Sequence, residues 1–443
     1  MFGFLFFPLR ALSFGGSLML DYYGLVDPET FYDSERIRIT VTSDIESGDE
    51  PEWFNFYISA FFFYQPIGEP VFADFERIIR EAYVGFHFSI FDIYLGQKFL
   101  SWGKVDVMSP LNVVGYADTD ILSLDNVFES SLADLLAQVT VYISDFLSID
   151  LIYVPFVQPN LYSIEQIDVE YKMTIPGFGG PDIKYDADAS FVNREVPLFS
   201  EWAHSLHTAL HFISDAIDIT ATYSYYVDNF LDFDLSGLTE DIDDSGPTID
   251  HTIRGTVYPE YNRVHNIGLG LSFYLEDFLI SCDAALKLMN DWDGTIMELR
   301  NHEFFYAIQA EYIFFTKWYT QLGFFHRIIF NAEEEISSPY SSLVEGIIKD
   351  TIDDYMLQKP SSQIYVLLHV DTHFFNETLR TGINFIYGYS ENAYYLAPRI
   401  SYKINDYITV FAGADLWWKG MVEGYLGMNT EKDNAFLRVQ CSL

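Results

Sequence analysis

The segment 369–373, His-Val-Asp-Thr-His, sets His369, Asp371 and His373 at two-residue spacing. Two imidazoles and a carboxylate are metal-ligand types. On one face of a strand, however, such neighbours stand about 7 Å apart, too far to share one small ion without ligands from elsewhere. His207 and His211 lie four apart, which suits zinc only on a helix, and the residues around them alternate as a strand does. His204 beside Ser205 lacks a third group to orient it for nucleophilic chemistry. Asp228, Asp232, Asp234, Glu240, Asp241, Asp243 and Asp244 crowd one segment without the ordered spacing of an EF-hand, so a solvated acidic loop is expected there. No phosphate-binding loop, dinucleotide fingerprint or His-Glu-x-x-His motif occurs. The expectation is a protein that is not an enzyme and holds no metal or cofactor, its chemistry lying in charges arrayed along strands.

The bulk composition says what such strands would border. The chain has 443 residues, 49% hydrophobic and 18% aromatic, yet it carries 65 Asp+Glu against 24 Lys+Arg, a net charge of −41. So acidic a chain does not bind nucleic-acid phosphates, which require clustered Lys and Arg. Its apolar residues are interleaved with polar ones, and no run reaches the roughly 18 apolar residues of a membrane-spanning helix. High hydrophobicity without apolar blocks fits strands with one face on lipid and one on water. The sole apolar block, residues 1–14, has small residues at Ala11 and Ser13 and is expected to be a truncated or misannotated signal peptide over 1–13, the alternative being a first strand that begins early, followed by one barrel domain over 14–443. Cys282 and Cys441 are too few for a disulfide framework and read as small hydrophobes.

A two-residue period supports this reading. In 217–226, Ile217, Ile219, Ala221, Tyr223 and Tyr225 share one parity, and Asp218, Thr220, Thr222 and Ser224 the other. The same alternation predicts 18 strands, alternatively 16, near 14–24, 35–45, 53–64, 80–91, 92–100, 131–144, 147–156, 204–213, 216–227, 263–275, 278–289, 303–314, 318–330, 363–374, 377–388, 392–404, 406–417 and 434–443. Tight links alternate with long acidic loops, about 65–80, 101–130, 158–203, 228–262, 290–302, 331–362 and 418–433. An all-β, antiparallel up-and-down transmembrane barrel has this layout, with short periplasmic turns and long external loops. In hydrocarbon every backbone polar group must be paired, so such a sheet has to close. Trp53, Tyr64, Trp318, Tyr389, Tyr394, Trp417 and Trp418 are expected in the interfacial girdles. The location implied is the bacterial outer membrane, with its lipid as one partner.

Parity also assigns the inner wall. Arg38, Lys98, Lys287, Arg380, Arg399, Lys403 and Arg438 are its expected basic members, and Asp44, Glu81, Asp150, Asp218, Asp283, Glu311, Asp371 and Asp415 its acidic ones. Charges of both signs suit a water-filled pore for small polar solutes, and the acidic loops would draw cations to its mouth. Residues 101–130 combine Lys104, Asp106, Asp118, Asp120 and Asp125 with apolar Val105, Val107, Met108, Leu111, Val113 and Val114. A loop packed on the inner wall would bury those apolar groups. Gly103 would permit the inward turn, so this loop is expected to constrict the channel. The other function class is a surface adhesin or receptor that binds through 158–203, 228–262 and 331–362, or a substrate-specific transporter. A homo-oligomer fits either class.

Gly96, Gln97, Lys98, Trp102, Gly103, Asp106, Pro110, Asn112, Asp118 and Asp120 make this region resemble porin-like outer-membrane barrels of uncharacterised or polysaccharide-export type, with Gln-Lys in place of the basic-Gln order. The resemblance implies a strand running into a loop that folds back and narrows the lumen. The last strand, Ala435 to Leu443, resembles the C-terminal signal read by the barrel-assembly machinery, with Leu where Phe or Trp is usual.

Overall fold

The computed structural model describes residues 12–25, 35–47, 53–67, 78–106, 108–117, 131–156, 168–175, 182–191, 204–230, 232–296, 298–331, 349, 356–418 and 433–442. In chain order the strands are β1 (Leu12–Leu25), β2 (Glu35–Ser47), β3 (Phe54–Ile67), β4 (Ile79–His87), β5 (Phe91–Lys98), β6 (Tyr116–Ala117), β7 (Ser131–Leu132), β8 (Asp134–Ser144) and β9 (Leu147–Val154). Next come β10 (Asp168–Ile175), β11 (Asp182–Phe191), β12 (Ser205–Ile213), β13 (Ile217–Val227), β14 (Asp232–Asp234), β15 (Leu238–Asp243), β16 (Thr248–Glu260), β17 (Arg263–Leu275) and β18 (Phe278–Leu288). The chain ends through β19 (Glu303–Phe314), β20 (Trp318–Ile329), β21 (Ser362–Phe374), β22 (Leu379–Gly388), β23 (Ala393–Lys403), β24 (Ile408–Trp418) and β25 (Asn434–Ser442).

Eighteen of these form one antiparallel sheet in which each strand pairs with its neighbours along the chain, and β1 pairs with β25 to close it. Every strand predicted from parity is present, most with ends within a few residues. β1 begins at Leu12, so Leu12 and Ser13 of the expected signal segment lie in a barrel strand, while residues 1–11 lie outside the described residues. Closure leaves no open edge, which is what permits such a sheet to cross hydrocarbon.

The ladders make the two faces concrete. Leu151 pairs with Val139 and Thr208, while Leu206 and Leu210 pair with Tyr225 and Ala221. Leu95, Leu151, Leu206, Leu269, Leu322 and Ile400 are exposed on the outside. Their neighbours of opposite parity, such as Thr220, Asn266, Asp283 and Gln309, are buried inside. Trp53, Trp318, Tyr389, Tyr394 and Trp418 are exposed, as expected of a girdle, and Phe315 and Phe375 stand out fully at two short turns. Trp417 is a correction: it points inward, 3% exposed, against the Tyr395 ring at 4.3 Å. Two consecutive tryptophans on a strand must take opposite faces.

Two of the predicted loops hold order that alternation did not disclose. Segment 158–203 contributes the β10–β11 hairpin, and 228–262 contributes β14, β15 and β16. β11 pairs in parallel with β16, joining both into one five-stranded sheet at the long-connection end.

Candidate functional site

The barrel interior is shaped by the chain after β5. Trp102 and Gly103 are held by Asn112, whose Oδ1 accepts from Trp102 N at 2.8 Å and Gly103 N at 2.9 Å, pinching the neck of the loop. Gly103 has no room for a side chain, because a Cβ there would meet Ser109 and Asp283. The loop then docks on the far wall. Asp283 of β18, 1% exposed, accepts from Lys104 N at 2.9 Å, Val105 N at 2.9 Å and Ser109 Oγ at 2.7 Å. Lys104 Nζ reaches Asp218 of β13 at 2.7 Å. Asp106 accepts from Gln309 Nε2 at 2.9 Å and Gln321 Nε2 at 2.8 Å, on β19 and β20.

Apolar groups of the loop use the same wall. Leu111 is fully buried over Gly268 and Gly270 of β17, where a Cβ would collide with its methyl groups. Trp102 packs with Leu136, Ile152, Val154 and Ala209, and its Nε1 donates to Asp150 at 3.3 Å. Val105 and Met108 join Phe325, Tyr365, Leu367, Ile386, Tyr395 and Trp417, an inward aromatic patch on β20 to β24. Gly115, at φ 109°, turns the chain back; its N–H donates to Asp134 at 2.7 Å, and its carbonyl oxygen accepts from Asn229 at 2.6 Å.

An Asp283→Ala variant leaves two backbone N–H donors and the Ser109 hydroxyl without their acceptor, at about 1–3 kcal/mol for each buried group. Trypsin cleavage after Lys104 in the folded barrel is therefore expected to rise sharply, with Asp283→Asn intermediate. Unchanged cleavage would contradict the anchoring role.

The other sequence-predicted residues mostly share the inward face and are engaged there. Lys98 donates to Gln138 at 2.9 Å and lies 3.4 Å above the Tyr94 ring. Glu81 accepts from Phe99 N, and Glu311 from Gln309 and Tyr319. Asp150 holds His211 at 3.1 Å and Thr140 at 2.6 Å. Asp371 pairs with Arg380 at 2.8 Å, and Asp415 with Arg399 at 2.6 Å. Lys403 pairs with Asp406, and Arg438 lies near the Phe436 ring. Arg38 belongs to β2, opposite Asp21, and its side chain is not described; Asp118 and Asp120 lie outside the described residues. His369 contacts Asn384, while Asp371 is committed to Arg380, so the three polar groups of 369–373 do not converge. Among the described residues no group of three metal-ligating side chains converges.

Sequence reasoning placed Asn112 in the loop without its role at the neck, and it missed Gln309, Gln321 and the inward aromatics. The inward glycines Gly268 and Gly270 were the available signal, because two missing side chains on one wall leave a groove for something else. It also missed a buried ionic cluster at the long-connection end. Arg300, 2% exposed, lies 2.9 Å from Asp228 and 3.2 Å from Asp232. Lys287 bridges Asp228 at 3.1 Å and Glu303 at 3.2 Å, and Arg327 reaches Glu303 at 2.5 Å. Burial alone would push the Asp228 carboxyl up, but the Arg300 and Lys287 charges outweigh it and hold it well below the usual carboxylate range.

No family model matches the sequence, and no curated protein matches it. Among solved structures, the chain is similar to a BenF-like porin from Pseudomonas fluorescens Pf-5, at 9% identity and TM-score 0.53 over 98% of this chain and 99% of that one. It is also similar to Pseudomonas aeruginosa OccK11 (OpdR), at 12% identity and TM-score 0.51 over 98% and 96% of the two chains. Pseudomonas aeruginosa OccD3 (OpdP) gives 10% identity and TM-score 0.51 over 98% and 91%. At these identities the likeness shows the fold, a porin-like β-barrel.

Proposed function

We propose that this protein is a bacterial outer-membrane channel for passive diffusion of small hydrophilic solutes, with a mild cation preference and with residues 101–130 as its constriction. The observation that carries the reading is the docking of Lys104, Val105, Asp106 and Leu111 on the wall opposite β5, which runs a loop across the lumen. The fold supports it, since one of the structures it resembles is named a BenF-like porin. In this reading the long connections face outside, the short turns face the periplasm, and β25 presents the strand read by the assembly machinery.

Charge arrangement supports the ion preference. Asp150, Asp218, Asp283 and Glu311 lie on strands β9 to β19, and Arg380, Arg399, Lys403 and Arg438 on β22 to β25 across the barrel. Asp371, Asp415 and Asp406 neutralise most of the basic group, so the net charge of −41 sets the sign and enriches cations at the mouth. In a planar bilayer under a KCl gradient, the reversal potential is expected to have the sign of K⁺ over Cl⁻. It should shrink as salt rises from about 0.1 M to about 1 M, where the screening length falls from about 10 Å to about 3 Å. An anion-selective channel would refute the preference and leave the barrel itself untouched.

The five-stranded sheet built by 158–203 and 228–262 favours a second reading, a receptor surface above the pore. The two separate by conductance: a receptor with a plugged barrel passes little current.

A further inference from the structure

Three outward histidines near the long-connection end of the barrel each share a hydrogen bond with a tyrosine phenol through Nδ1. Tyr153 meets His204 at 2.6 Å, Tyr223 meets His265 at 2.9 Å, and Tyr306 meets His326 at 3.1 Å. The ladders place the first two pairs on the lipid-facing side, since Tyr153 and Tyr225 both pair with exposed Leu206, and His265 pairs with Tyr225. Arg263, two residues before His265 on β17, shares that face. Its guanidinium lies 5.0 Å from the centre of the Tyr225 ring, and its Nη1 donates to the His204 carbonyl oxygen at 2.8 Å. β9, β12, β13 and β17 thus bring one arginine, two imidazoles and three phenol rings together at the rim. A phenol donating to Nδ1 leaves a neutral imidazole's proton on Nε2, a donor on the far side of the ring.

Aromatic rings are ordinary at this depth, and here they surround a cation, in a chain with 24 Lys+Arg against 65 Asp+Glu. A guanidinium is planar and suits phosphate oxygens, and the imidazole N–H groups add donors beside it. We propose that Arg263, His204 and His265 form a binding site for the phosphate headgroup of a lipid in the leaflet next to the long connections. The Tyr153, Tyr223 and Tyr225 rings flank the headgroup, and the apolar wall below takes the acyl chains. The Tyr306–His326 pair has Ser362 on its Nε2 at 2.9 Å instead, and it serves as the internal control. The site needs only that the barrel sits in a bilayer and is independent of whether the lumen conducts.

Native mass spectrometry of the detergent-purified barrel, mixed with phosphatidic acid or phosphatidylcholine, tests this. The parent is expected to retain phosphatidic acid over phosphatidylcholine, and Arg263→Gln to lower that retention roughly fivefold, the factor for one cation facing an anionic headgroup. Arg263→Gln with His265→Gln should lower it further, while His326→Gln matches the parent. Unfolding is excluded by compact electrophoretic migration of unheated samples, and the single variant stands in if the double one fails to fold. Equal retention of both lipids by the parent, or parent-like retention by Arg263→Gln, overturns the proposal. Displacement of the lipid by an equal concentration of inorganic phosphate would assign the site to a free anion and overturn it as well.

Discussion

Removing residues 104–125 is expected to raise single-channel conductance several-fold and to flatten discrimination among solutes by size. The deletion takes out the whole docked stretch that Asp283, Gln309 and Gln321 hold against the far wall, including Leu111 in the groove over Gly268 and Gly270. The eighteen barrel ladders do not depend on that stretch, so the wall survives its loss. What changes is the inside: Val105 and Met108 leave the aromatic patch of Phe325, Tyr395 and Trp417, and Asp218 loses Lys104. Asp218 and Asp283, which Lys104 and the loop's backbone N–H groups hold in the parent, are left facing the lumen, so cation preference should strengthen as the pore widens. Planar-bilayer recording of parent and deletion in the same salt decides the matter. Identical conductance would mean that the docked loop does not set the width of the path.

The second large effect is expected at Arg300. Replacing it by Met removes the group that lies against both Asp228 and Asp232 and leaves two carboxylates buried with less compensation. Breaking a buried ion pair from one side costs about 3–5 kcal/mol. The loss should be local, read as faster amide hydrogen exchange at 228–234 and 298–303 with the barrel strands unchanged. The pH dependence has a definite sign. Asp228 is held below the ordinary carboxylate range, so its contribution is complete above the unfolded value of about 3.9 and is lost only as pH falls through the lower, folded one. The parent cluster should therefore survive mild acid in which the variant's loops already exchange freely. Equal exchange in both proteins at neutral pH would contradict this account.

The barrel was legible because lipid on one side and water on the other enforce a strict alternation, and a one-residue slip would put every side chain on the wrong face. That constraint acts at each strand position, so Ile217 and Tyr223 declared themselves without any partner being known. The same rule placed Asp150, Asp218, Asp283 and Glu311 inside but could not say what they would hold. Alternation is a property of one strand, whereas the Asp283 contacts to Lys104 and Val105 join residues nearly 180 positions apart. The sheet of β10, β11, β14, β15 and β16 stayed hidden for a related reason. Its central contact, β11 on β16, is parallel and joins two separate connections, which neither connection announces alone. Inward aromatics such as Phe325 and Trp417 broke the polar-inside expectation, because a wall that receives a loop is packed as a core there rather than wetted.

The ladder between Ser17–Leu25 and Asn434–Ser442 ties together segments more than four hundred positions apart. Until that seam zips, the growing sheet carries two raw borders of unpaired amides and carbonyls, neither tolerable among acyl chains. Biogenesis must therefore shelter both borders until the final hairpin arrives, and a ribosome that stalls before it would yield a half-made wall fit for degradation and not for residence in a bilayer.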